Sequence, residues 1–318
     1  MKKTFSVLMA TVLAAATLAA CGSSKAPETA AATTTAQGTE ATTEAASKAA
    51  EDTTEAATET VTEAKAEFTT ITPGKLTIGT SPDFAPYEFY HINNGNPELV
   101  GFDIALAKKI AEELGLELQV VPMDFDGILM ELQNGNVDLG ISGFSPSPER
   151  AQTFDFSDIY YTGGQAFVIR KADADKYKDY AAFDKLPVGA QTGSIQMGLA
   201  EANTPNANII GLAKVTDIIS ELVSGKLEGA FIEKAVAEQY IKNYPELQIA
   251  WDVPYDTEGS AIALKKGSDL VPAVNKVISK VLADGTMDGY IAEAQELASD
   301  SENVFEGQLD ANGQAAAN

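Results

Sequence analysis

Three residue types with special chemistry are nearly missing: the 318-residue chain has one cysteine, one histidine and only two arginines, Arg150 and Arg170. A single cysteine excludes a disulfide framework within the chain and a zinc site built from Cys pairs. A single histidine excludes His-rich metal sites and makes any Ser–His–Asp hydrolase depend on His91. Basic charge is also scarce, with 22 Lys+Arg against 46 Asp+Glu and a net charge of −24. Nucleic acid needs a basic face that displaces counterions, so no nucleic-acid partner is expected. After Gly22 no apolar run approaches the ~20 residues of a membrane-spanning helix.

What is present begins with a leader. Met1-Lys2-Lys3 is basic, and Phe5 to Ala20 is apolar apart from Ser6, Thr11 and Thr17, which is the layout of a secretory signal peptide over residues 1–20. Its end, Leu18-Ala19-Ala20-Cys21, resembles the bacterial lipobox. That resemblance implies that Cys21 becomes the lipid-modified, palmitate-bearing first residue, anchored at the cell membrane and facing outside the cytoplasm. Residues 21–68 are nearly all Ala, Thr, Glu, Ser and Lys, too poor in apolar surface to offset their ordering entropy. They read as a disordered tether, and ~45 such residues float a domain roughly 35–40 Å from its anchor. Residues 301–318 read as a disordered tail. The leader carries +2 and residues 22–70 carry three Lys against nine acids, so −24 − 2 + 6 leaves −20 on residues 71–318. The acidity belongs to the folded part, where it favours solubility.

Between residues 69 and 300 short β-rich runs alternate with helical patterns, the signature of βαβ units and largely parallel sheets. Strands are expected at 75–80, 116–121, 137–142, 186–191 and 208–212, and helices at 103–114, 125–133, 194–202 and 216–224. Asp103 and Thr216 are the expected helix N-caps and Gly115 the expected stop; Asp155 also reads as a cap. One helix–turn–strand unit recurs: ILMELQNGNVDLGIS (128–142) matches IISELVSGKLEGAFI (218–232) at an offset of 90. Two lobes with matching supersecondary structure are therefore expected. In open α/β sheets ligands bind beyond the carboxyl ends of the strands, which singles out Gly143, Phe144 and Ser145 in one lobe and Glu233 in the other.

Four clusters are placed for a small ligand: SPDFAPYEF (81–89), MDFDG (123–127), SGFSPSPER (142–150) and QTGS (191–194). The last is a strand-to-helix turn with free backbone N–H groups for an anion. Asp124 and Asp126 lack a calcium loop, so no metal is expected, and no cofactor.

GFDIALA (101–107), MDFDGIL (123–129), ISGFSPSPERAQTFDFSDIYY (141–161), TGS (192–194) and DGTMDGY (284–290) together resemble the extracellular solute-binding proteins (family 3) of ATP-driven polar amino-acid uptake systems. The resemblance covers Lys75 to Leu297. It implies a two-lobed, hinged α/β fold that closes over one amino acid without catalysis and docks, as a monomer, on the subunits of an ABC permease. Lobe 1 would comprise residues 69–162 and 257–300 and lobe 2 residues 163–256, with hinges near 162–166 and 252–257. Arg150 falls on the arginine that clamps the ligand α-carboxylate, a role its planar fork suits. Ser142, Gly143, Phe144 and Ser145 match neighbouring donors and acceptors; Gly193 and Ser194 match the second-lobe donors; Phe84 and Phe125 match the aromatics that sandwich the ligand. Glu233 stands where the family has an Asp for the α-ammonium, and Gln191 and Ile195 also depart from the common pattern, at positions that set side-chain selectivity. Glu88 is a further candidate for the ligand side chain. Two other classes carry different expectations: a dehydratase-like enzyme on this fold, with Glu88 and Glu233 as acid and base, and an amino-acid sensing module.

Overall fold

The computed structural model describes residues 68–256 and 259–305; the signal peptide, Cys21 and the tether lie outside the described residues. The chain starts with β1 (Lys75–Thr80), buried along almost its whole length, then β2 (Asp83–Phe84), β3 (Glu88–Asn93) and β4 (Asn96–Val100). Helix α1 (Phe102–Leu114) turns Ile104, Leu106, Ile110 and Ala111 into the core and stops at Gly115, whose φ of 67° is left-handed as a C-cap requires. The helix starts after Gly101, not at an Asp103 cap. Asp103 lies in the first turn and makes no capping bond; its carboxylate is drawn instead to partners outside the helix.

Next come β5 (Glu117–Pro122), α2 (Phe125–Asn134), β6 (Leu139–Gly140) and β7 (Phe154–Phe156). The first sheet runs β5-β1-β6, all parallel. It is completed by the late strand β13 (Ala263–Lys265), antiparallel to both β6 and β7. Asp155, within β7, is not a cap: it accepts the Gly267 amide at 2.7 Å and pairs with Lys266 at 2.8 Å.

The chain then crosses to a second sheet: β8 (Gln165–Arg170), β9 (Pro187–Gln191), α3 (Ile195–Asn203), β10 (Asn208–Leu212), α4 (Val215–Val223), β11 (Gly229–Glu233), α5 (Lys234–Asn243) and β12 (Leu247–Asp252). Its order is β10-β9-β11-β8-β12, parallel over the first three strands and antiparallel over the last two. The two sheets thus share one pattern. The repeat read at offset 90 is α2–turn–β6 in one and α4–turn–β11 in the other, each turn built on a glycine at φ 77° (Gly135, Gly225). Helix α4 starts at Val215, so Thr216 is not its cap, and no side chain of its own caps it.

The return crossing leads to β13, α6 (Val271–Ala283) and α7 (Thr286–Ser299). A short β14 (Val304–Phe305) pairs with His91 and Tyr90 of β3, so the start of the expected tail is tied down by a strand pairing. Residues 306–318 lie outside the described residues. The crossings run side by side: Tyr161 bridges to Ser260, and the Tyr255 hydroxyl donates to the Gly163 carbonyl at 3.0 Å. One apolar cluster continues from Leu76 and Ile78 through Tyr87 and Tyr160 to Ala166 and Ile232. An aromatic cluster of Phe167, Tyr177, Phe183 and Phe231, with Trp251 packed on it, fills the far side of the second sheet.

Candidate ligand-binding cleft

A narrow, nearly closed cleft lies between the carboxyl ends of the two sheets, lined by Phe84, Phe125, Ser142, Gly143, Ser145, Arg150, Gln191, Ser194, Ile195 and Gln196. Nine of these ten belong to the expected set. They arrive from four segments spread over 112 positions, each at or after a strand end or at the start of a helix.

Arg150 follows a short proline-bearing loop in the first sheet and is fixed by a 3₁₀ turn, Arg150–Gln152. Its guanidinium donates to the Ser145 carbonyl at 2.9 Å and, across the cleft, to the Gly193 carbonyl at 2.9 Å. The Phe144 and Phe125 rings lie 5.4 and 5.9 Å from its central carbon. Burial pushes its pKa down to about 10, with only the charge of neighbouring Glu149 opposing. No carboxylate among the described residues bonds it. The other arginine shows what a structural guanidinium looks like: Arg170 pairs with Asp173 at 2.7 Å and with Glu228, and also donates to two carbonyls.

The turn before α3 faces Arg150. Gly193, at φ 76°, comes so close to α2 that a Cβ there would lie 2.9 Å from the Asp126 Cβ. Ser194 takes the N-cap position, but its hydroxyl donates to the Gln191 carbonyl at 2.6 Å. The open amides at the start of α3 therefore supply the anion-binding character of this turn.

Three expected residues do not line the cleft with their side chains. Phe144 is wholly buried and stacks on Phe125, with centroids 4.7 Å apart. Gly193 contributes its carbonyl to Arg150. Glu233 is buried and caps α5, accepting the Val236 amide at 2.9 Å and the Gly164 amide at 3.4 Å. Burial raises its pKa to about 7; the adjacent Lys234 lies within reach of its charge but pairs with Asp252 at 2.8 Å. Glu88 is wholly buried behind Ser142 and does not face the ligand space.

Sequence reasoning missed Gln196 and Asp83. Gln196 Nε2 donates to the side-chain Oε1 of Gln165 at 2.8 Å; its place one residue after Ile195, in the first turn of a helix opening on the cleft, was the available signal. Asp83 joins the two sheets: it accepts the Val215 amide at 2.5 Å and the Gln191 side-chain amide at 3.2 Å through Oδ2, and the Ser81 hydroxyl at 2.6 Å through Oδ1. It thereby supplies, from the other lobe, the N-terminal cap that α4 lacks. Burial raises its pKa from 3.8 to about 6, against the pull of these donors.

A second, more open groove runs between the β3–β4 hairpin, α1 and α7. Its Lys109 is already paired, with Glu112 at 3.0 Å and Glu113 at 2.9 Å. The inter-lobe cleft is the better candidate.

Two α/β lobes joined by paired crossings, with an arginine lacking a counter-ion in the cleft between them, define a hinged solute-binding fold. The chain belongs to the bacterial extracellular solute-binding proteins, family 3, whose model matches residues 76–293. It is similar to the arginine-binding extracellular protein ArtP of Bacillus subtilis, 35% identical over 219 residues that cover 67% of this chain and 83% of that one. Among solved structures it resembles the amino-acid ABC transporter substrate-binding protein AbpA of Streptococcus pneumoniae bound to L-arginine, at 38% identity and a TM-score of 0.69, covering 71% of this chain and 97% of that one. It also resembles an ancestral amino-acid-binding protein described as a precursor of cyclohexadienyl dehydratase, at 33% identity and a TM-score of 0.62, covering 69% and 95%. Family membership puts the working place of the protein outside the cytoplasm.

Proposed function

We propose that the protein captures one amino acid between its lobes and delivers it to an ABC permease for uptake. The observation that carries this reading is Arg150, largely buried, held by two carbonyls and left without a carboxylate among the described residues. A buried cation of this kind is costly until an anion arrives. The ligand α-carboxylate meets the guanidinium fork and the start of α3 together. Glu233 supplies the complement, a buried carboxyl at the start of α5 with no ion pair among the described residues, whose charge the α-ammonium would neutralise. A zwitterion satisfies both.

The side-chain end of the cleft favours a group rich in N–H donors. Gln191 spends its amide protons on Asp83 and on the Ala213 carbonyl, and Gln196 donates to Gln165. Gln191 is left with its own side-chain oxygen as the free acceptor, and Phe84 and Phe125 flank the space with apolar rings. Guanidinium and amide side chains fit such acceptors; carboxylate side chains do not. The arginine named for two of the relatives supports the same class. The dehydratase reading loses Glu88, which is wholly buried behind Ser142 and does not line the cleft. Cys21 as a lipid anchor and the monomeric state complete the reading: a tethered module that meets its permease at the membrane. The crossings at 162–166 and 252–256, held by Tyr255 and Gly163, are its hinge.

Thermal-shift screening of the twenty amino acids with cystine and ornithine tests this. A true ligand at 100 times its dissociation constant adds ~2.7 kcal/mol of stability, and arginine or glutamine is expected to lead, with aspartate and glutamate inert. A flat response across the panel would sink the assignment.

A further inference from the structure

Behind the cleft lies a pair of acids that ligand contact does not explain. Glu88 on β3 and Asp103 on α1 are both wholly buried. The Ser142 hydroxyl donates to Glu88 Oε1, and the same Ser142 Oγ accepts the Ser81 amide at 3.2 Å. Asp103 Oδ2 accepts the Gly143 amide and the Tyr160 hydroxyl, each at 2.9 Å. Glu88 Oε2 and Asp103 Oδ1 find no donor among the described residues, and the Asp103 amide donates to the carbonyl of Tyr87, the residue before Glu88, at 2.9 Å, which sets the two acids side by side. The remaining titratable groups facing the pair are Asp83 from β2 and the phenol of Tyr160 after β7; neither is a cation.

Two carboxylate oxygens make a hydrogen bond only when a proton lies between them, and two adjacent carboxylates force one pKa strongly upward. Burial pushes both groups above the ordinary carboxyl range, and the charge of Asp103 adds to the rise at Glu88. Asp103 already accepts two donors, which favour its ionised form. The proton therefore belongs on Glu88.

We propose that Glu88 and Asp103 share one proton, carried by Glu88 and donated to Asp103, and that this pair positions Ser142 and Gly143, the segment of the first lobe that faces the ligand. Glu88 fixes the Ser142 hydroxyl and Asp103 fixes the Gly143 amide, at a glycine held at φ 57° with its Cα facing Phe84. Both acids are positioning residues. The positioning half rests on the reading of the cleft given above; the shared proton does not.

The test uses the intact protein without ligand. Infrared spectra taken above the range in which Asp83 and Glu233 titrate are expected to show the carbonyl stretch of one protonated carboxylic acid, lost in Glu88→Gln. Glu88→Gln keeps a donor toward Asp103 and an acceptor for Ser142, so hydrogen exchange at the Gly143 amide stays within about twofold of the parent. Asp103→Ala removes the charged acceptor, and that amide exchanges at least about tenfold faster, as loss of a hydrogen bond to a charged group implies. A carboxylic-acid band that survives Glu88→Gln would overturn the proposal. So would Gly143 exchange in Glu88→Gln as fast as in Glu88→Ala, since Glu88 would then act as a carboxylate. Should the alanine variants not fold, the glutamine variant decides by band and exchange alone. Failure of the parent protein to bind L-arginine would count against the proposed ligand and leave the pair untouched.

Discussion

Arg150 and Arg170 show how much one side chain's surroundings decide. Arg170 has its charge neutralised by Asp173 and Glu228, whereas Arg150 has only carbonyl partners and aromatic rings. Arg150→Ala is expected to weaken amino-acid binding by about 3–5 kcal/mol, more than ~100-fold, because the ligand carboxylate would be buried unpaired. Circular dichroism melts should move little, and isothermal titration reads the loss. Arg150→Lys should recover only part of it, lacking the planar fork. Glu233 carries a pH signature. Its pKa of about 7 in the empty protein means that it is part-protonated near neutrality. An arriving ammonium favours the carboxylate, so binding at pH 7 should release protons and affinity should fall as pH drops below about 7. Titration calorimetry in two buffers of different ionisation heat measures the release, and Glu233→Gln should abolish it.

At the scale of elements, the five strands and four helices placed from the sequence lie within a residue or two of their positions, Lys75–Thr80 and Asn208–Leu212 among them, while β3, β4, β8 and α5 to α7 were not anticipated. The caps were less legible, for a physical reason. A capping carboxylate is recognised in sequence only when it precedes its own helix, and α4 takes its cap from Asp83, 132 positions away. Asp103, a good local candidate, is captured by Gly143 and Tyr160 instead. Asp83→Ala should cost about 0.5–2 kcal/mol as lost capping and also free Gln191. The folded pKa of Asp83 lies above its unfolded value of 3.8, at about 6. The folded state therefore holds more protons between these values, and this group's contribution to stability declines as pH rises through that window. Asp83→Asn should flatten that part of the stability–pH curve in chemical-denaturation series. Gly193→Ala would crowd Asp126 across the cleft, so weaker ligand binding with unchanged secondary structure is the expected calorimetric and dichroic result.

Across the whole molecule, the cleft is built from both lobes and held by bonds that cross between them: Arg150 to Gly193, and Asp83 to Val215 and Gln191. Opening breaks all three, and a ligand that joins the same groups favours the closed form by its differential affinity. Small-angle scattering should show a smaller radius of gyration with saturating ligand, and Asp83→Ala should enlarge the radius of the empty protein. If Cys21 is the anchor, Cys21→Ser should move the protein from the membrane fraction to the medium and end incorporation of labelled palmitate, with ligand affinity unchanged.

The sequence by itself determined the class of fold and the repeated helix–turn–strand unit, and the family resemblance of its linear motifs pointed to nine of the ten residues that line the cleft, because periodicity, glycine turns and motifs are properties of neighbouring residues. Only the tertiary structure decided which charges meet. Folding brings Asp83 to α4 and hides Glu88 behind Ser142. It also turns Glu233 onto the start of α5 and leaves Arg150 without a carboxylate partner among the described residues. Hydrogen-bond partners and burial depend on distances between segments far apart in the chain, and spacing along one strand or helix carries no record of them.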